Sequence, residues 1–188
     1  MSSLELESPM LWIEWWRLWT CHLVHWNASH LFLNLLALLP PMMLVTPPMR
    51  WRLAGWALMS APVLSLTVLA GGFQGEYRGA SGLVVGVWVL TGLTLVTDPA
   101  RRAGGLLLLS FIVPKLVLEV AGAWPTASDA YRTSDVVHYA GALTGVLGAA
   151  IAAAKPRLLL LGRAPSLSAT HHIRAGHASP QPALAGSD

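Results

Sequence analysis

Five long apolar runs, separated by short polar or charged interruptions, organise this chain. Residues 18–49 carry no formal charge, and 28–46 forms the first run long enough to cross a bilayer. The others are 53–72, 81–97, 104–122 and 136–154. The last is uncharged throughout and, as a helix, covers roughly 28 Å, about one hydrocarbon core. Between the runs stand TPPMRWR, the Gly-rich GGFQGEYRG at 71–79, a cluster of Asp98, Pro99, Arg101 and Arg102, and a polar loop at 123–135 with Asp129, Arg132 and Asp135. Pro40 and Pro41 fall inside the first run and are expected to kink its helix or end its regular ladder early. Residues 1–27 are acidic, Trp-rich and amphipathic, hold no full span, and are expected to be interfacial structure outside the membrane. The pattern predicts an all-α, polytopic transmembrane helix bundle with its core at 28–154. The tail at 155–188 begins with PRLLLLGRA, expected on the membrane surface, and turns after Pro165 to a Ser, Ala, Pro, Gly and His composition expected to be disordered.

Composition strengthens this picture. The chain has 188 residues, 54% hydrophobic and 11% charged, against roughly 25% charged in a soluble domain. It reads as one membrane bundle. The net charge of +3 does not point to nucleic acid, because the basic residues fall in small clusters between apolar spans. Cys21 is the only cysteine, which excludes an internal disulfide and a cysteine metal cage. Residues 1–14 lack the basic start of a cleavable signal and carry Glu5, Glu7 and Glu14. The tryptophans gather at 12–26, 51–56 and 124, as interfacial anchors do. Alternating the spans puts Arg50, Arg52, Arg101, Arg102, Lys155, Arg157, Arg163 and Arg174 on one side, which the positive-inside rule makes cytoplasmic. Arg17, Arg78, Arg132 and most of the acids fall outside.

Three groups of polar residues then meet at the outer face. His30 and Asn34, four positions apart, share one helix face, with His25 just before them. Gly79-Ala80-Ser81-Gly82 opens the third span, and His138 stands in the first turn of the fifth. Both of these spans run from outside to inside, so Ser81 and His138 are expected at similar depth. Gly82 and Gly86 make one small-xxx-small pair and Gly141 and Gly145 another, spacings that let transmembrane backbones pack closely. A contact there would bring the Ser81 hydroxyl to the His138 imidazole. Serine needs a base to take its proton, imidazole suits that role, and acyl transfer needs donors aimed at the oxyanion. The Ser81 N–H, His30 and Asn34 are candidate donors. No Asp or Glu is expected to orient His138, so the reading is a dyad. A serine bonded only to its own helix, a histidine used only in packing, and a haem or metal site built from His22, His25 and His30 are the alternatives.

In this order, Trp16-Arg17, the H-x4-H-x3-N of His25, His30 and Asn34, Gly-x-Ser-Gly at Gly79 to Gly82, and His138-x2-Gly141-x3-Gly145 resemble the rhomboid intramembrane serine proteases. The resemblance runs from Trp16 to about Gly148. It implies Ser81 as nucleophile, His138 as general base, His30 and Asn34 as oxyanion helpers, no cofactor, and Trp16 and Arg17 in a loop partly in the membrane surface. WWRLWTCHLVHWNASHLFLNL and EYRGASG are most similar to the rhombosortases, small bacterial members. That subgroup implies an inner-membrane enzyme acting on membrane-anchored proteins with a C-terminal Gly-Gly sorting tail. Lys115 and Glu119, also similar to that subgroup, are expected to form a structural ion pair within one span. Two features depart from the family. Its core has six spans where five are visible here, so the missing first span is expected upstream, lost to a late start or truncation. Val85 stands where relatives often carry an aromatic residue or His. An inactive rhomboid fold that binds membrane clients is the alternative function.

Overall fold

The computed structural model describes residues 4–7, 9, 11–71, 76–123 and 134–161, with the side chains of 134 and 155–161 outside that description. Asp129, Arg132 and Trp124 of the polar loop, part of the Gly-rich loop and the tail beyond Leu161 therefore lie outside the described residues. The chain forms α1 (Arg17–Thr20), α2 (Ala28–Leu44), α3 (Pro47–Ala70), α4 (Ser81–Val96), α5 (Arg102–Val120) and α6 (Ser134–Leu161). α3, α5 and α6 are long and apolar enough to cross a membrane, and α2 and α4 are shorter apolar helices. Each expected span is thus a helix. α6 runs on past residue 154 through Pro156 to Leu161, so the start of PRLLLLGRA continues that helix.

α4 is the centre of the bundle and packs against α2, α3, α5 and α6. It is apolar all round and carries no charge, as a helix surrounded by others must be. Its 16 residues span about 24 Å, short of a hydrocarbon core of about 30 Å. Glycines set its closest contacts. A Cβ on Gly141 would overlap the Gly82 carbonyl, and one on Gly145 would lie 2.6 Å from the Gly86 oxygen. On its other side, a Cβ on Gly105 of α5 would lie 2.7 Å from the Gly92 oxygen.

α2 does not stop at its prolines. It passes through Pro40 and Pro41 to Leu44. Pro41 has no N–H for the Ala37 carbonyl, and the Trp88 indole Nε1–H supplies one instead at 2.7 Å. Pro62 of α3 frees the Leu58 carbonyl in the same way, and Trp19 Nε1–H donates to it at 2.9 Å. Trp56 donates to Thr144 O of α6 at 3.0 Å. Three tryptophans therefore join helices, a role beyond interfacial anchoring.

The residues before α2 are a folded cap on one end of the bundle. Leu6 pairs with Tyr77 in an antiparallel bridge, and Leu6, Cys21 and Tyr77 share a buried cluster with Leu64, Val68 and Val137. Arg17 is buried and pairs with Glu14 and Glu7, and its Nη1–H donates to Glu5 O at 2.8 Å. Arg78 meets Glu5 and Glu76 and stacks over Trp26 at 4.7 Å. Trp12, Ile13 and Leu23 stay exposed on the outer face of this cap.

Candidate active site

The cap holds the loop that delivers Ser81. Gly79 has φ +128°, a conformation that suits glycine, and a Cβ there would come within 2.7 Å of His30 Cε1. Its N–H donates to Cys21 O at 2.9 Å. Its carbonyl accepts from Tyr77 Oη at 3.0 Å and faces His22 Nδ1 at 3.2 Å. His22 Nε2 faces Ala61 O at 3.0 Å and Ser65 Oγ at 3.1 Å. Burial pulls the His22 imidazole below its ordinary range, against the two carbonyls that favour its charged form. Burial also pushes the Cys21 thiol up to about 11, which makes it inert. Ala80 follows as the cap residue of α4, and Ser81 is the first residue of that helix.

Ser81, His138 and Asn34 line one cavity of about 260 Å³. Its remaining walls are mostly apolar: Ala37 of α2, Val84, Val85 and Trp88 of α4, Phe111 and Ile112 of α5. Val85 packs in a buried cluster with Val89 and Ile112. The cavity sits where α2 and α5 barely touch, opposite the tight packing of α4 on α6. Asn27 caps α2 by accepting from His30 N–H at 2.8 Å. Asn34 is buried, and its Nδ2 donates to His30 O at 3.1 Å. The amide keeps a second N–H. His30 does not line the cavity. Its ring lies against Gly79 and meets His25 edge to face, with centroids 5.0 Å apart.

The expectation that no acid orients His138 is overturned. Glu119 Oε1 lies 2.9 Å from His138 Nδ1, and Lys115 Nζ lies 3.0 Å from the same nitrogen. Lys115 and Glu119 do pair with each other, as their spacing predicts, but the pair is built onto the imidazole. The reason is the same topology that brings Ser81 and His138 together. α5 runs toward the end of the bundle that carries the loop before α4, so Glu119 in its last turn reaches the level of the first turns of α6. Span direction in the sequence gives Glu119 this depth, but not the direction in which its side chain faces.

Among the described residues, His22, His25 and His30 do not gather into a metal site. Both nitrogens of His22 face protein groups, while His25 and His30 stack elsewhere. Glu119, Asp135 and His138 lie close enough to share a cation. The Lys115 ammonium already sits against two of those three ligands, where an ion would stand. Glu5, Glu7 and Glu76 also come together, and Arg17 and Arg78 supply their counter-charges.

The Rhomboid domain family model matches residues 13–155, well over half of the chain. The chain belongs to the rhomboid family. No curated protein matches it. Rhomboids are intramembrane serine proteases acting on membrane proteins, and the helical bundle is that of a multi-pass membrane protein. The matched region takes in the cap from Ile13, both small-residue seams and every residue that lines the cavity.

Proposed function

We propose that this rhomboid is an active serine endopeptidase with Ser81 as nucleophile and His138 as general base. One observation carries the reading. The two side chains come from separate helices, yet they line one cavity, and their helices meet backbone to backbone at Gly82 and Gly141. In the reaction, Ser81 Oγ adds to the scissile carbonyl and its proton passes to His138. Collapse of the adduct breaks the C–N bond, and the imidazole returns the proton to the leaving amine. Water then frees the acyl group from Ser81. The Ser81 N–H and the second amide N–H of Asn34 are the oxyanion donors this arrangement favours. The packing of His30 against Gly79 supports a role in holding the loop.

The loose seam between α2 and α5 supports entry of substrate from the bilayer. A helical segment must unwind there to present a carbonyl, so glycine or other helix-weakening residues are expected near the cleavage point. The charge distribution supports a site facing the outer side of a bacterial inner membrane and a cytoplasmic C-terminus. The Gly-x-Ser-Gly and Trp-rich motifs favour the rhombosortase substrate class, membrane-anchored proteins with a C-terminal Gly-Gly sorting tail. The test is labelling by a fluorophosphonate probe in detergent. Wild type is expected to label, Ser81→Ala to lose labelling entirely, and His138→Ala to keep only a slow residual rate. Labelling that persists in folded Ser81→Ala would falsify the assignment, and a folded wild type that never labels would favour a client-binding protein.

A further inference from the structure

We infer that Glu119 is a positioning residue that fixes the tautomer of His138, with Lys115 as its counter-ion, so that the dyad works as a three-residue chain Ser81, His138, Glu119. The inference rests on the serine-protease reading. It starts from a conflict at one atom. His138 Nδ1 lies 2.9 Å from an acceptor, Glu119 Oε1, and 3.0 Å from an ammonium donor, Lys115 Nζ. A neutral ring nitrogen either donates or accepts. If Nδ1 accepts from Lys115, the ring proton sits on Nε2 and the imidazole cannot take the serine proton. If Nδ1 carries the proton and donates to Glu119, Nε2 has its lone pair and the base is ready.

The surroundings favour the second state. His138 and Glu119 are both buried, at 7% and 8% exposure, so their contact is little weakened by water. Lys115 pairs with the same oxygen, Oε1, that faces the imidazole. The ammonium hydrogens therefore have the carboxylate to go to and need not claim Nδ1. Glu119 Oε2 is buried with no hydrogen-bond partner. Oε1 is the oxygen that both the imidazole and the ammonium face. As a transient imidazolium forms, the carboxylate beside it stabilises the charge, while Glu119 itself gains no proton.

The experiment uses the full chain in detergent with a fluorophosphonate probe and reads the second-order rate of Ser81 labelling. Glu119→Gln keeps the shape but presents an amide that can donate to Nδ1. It is expected to slow labelling by about 100-fold or more, and Glu119→Asp to stay within about tenfold of wild type. In a His138→Ala background, Glu119→Gln is expected to change the rate less than about twofold, because the two act as one unit. A merely structural glutamate would not give that non-additivity. A second readout does not depend on any Glu119 variant folding. Wild type is expected to show a far-downfield imidazole N–H proton on Nδ1 that vanishes in His138→Ala. Folded Glu119→Gln that labels at the wild-type rate, or a wild-type protein without that resonance, overturns the inference. If wild type shows the resonance but never labels, the hydrogen bond stands and the protease reading fails.

Discussion

The α4–α6 seam and the α2–α5 seam bound the same cavity, and they are built in opposite ways. Along the first, glycines bring two backbones into contact, so no side chain can adjust to let the helices drift. Along the second, the helices barely touch, and Phe111 stands 64% exposed with its ring edge-on to Trp88. On the proposed function, the difference follows what each side would have to do. A nucleophile and its base on separate helices need a fixed spacing, since misplacement by about 1 Å can cost on the order of 100-fold in rate. A chain entering from lipid needs a boundary that yields.

The comparison breaks most severely if the closed seam is forced apart. Gly141→Val puts a side chain into the Gly82 carbonyl, which cannot move without shifting α4. We expect a loss of about 3 kcal/mol or failure to fold, the upper range for overpacking, together with loss of labelling, read by thermal unfolding in detergent and by the fluorophosphonate assay. The matched change on the open seam is Phe111→Ala. It should cost stability by less than about 1 kcal/mol, as at other exposed sites. It should alter KM for a membrane-anchored reporter more than the rate of labelling by a small probe. Equal damage from the two substitutions would end the distinction between the seams.

A smaller effect concerns the tryptophan that lets α2 pass its prolines. Trp88→Phe keeps the ring but leaves Ala37 O without the indole donor, and should cost about 1 kcal/mol. The least change is expected on acidification. Burial lowers the His22 pKa below its ordinary 6.5. The unfolded chain therefore binds this proton at higher pH than the folded one does. Stability from a neutral His22 is complete above about 6.5 and falls as pH drops from there toward the folded value. Unfolding measured at pH 7.5 and pH 5 should show a shallower acid loss in His22→Gln than in wild type.

Helix positions were legible in the sequence because a bilayer permits few ways to satisfy a backbone, and long uncharged runs report that rule directly. Ser81, Asn34 and His138 were legible as neighbours because span direction fixes depth. What the sequence did not disclose depends on side-chain direction around a helix and on partners far along the chain. The spacing of Lys115 and Glu119 showed that they could pair, but not that the pair faces α6. Trp88 lies mid-span, and nothing local ties its indole to a carbonyl freed by Pro41. His22 looked like one of three equivalent histidines until the fold buried it beneath Gly79 and left His25 and His30 half-buried, edge to face with each other.

The central claim is that the cavity between these seams hydrolyses a peptide bond through Ser81. Its most direct test is purified protein in liposomes with a single-span reporter that carries a glycine-containing segment near the outer face. The account predicts a discrete cleavage product from wild type, none from Ser81→Ala, and covalent modification of Ser81 when a fluorophosphonate blocks the reaction. Cleavage at the wild-type rate by folded Ser81→Ala would contradict it.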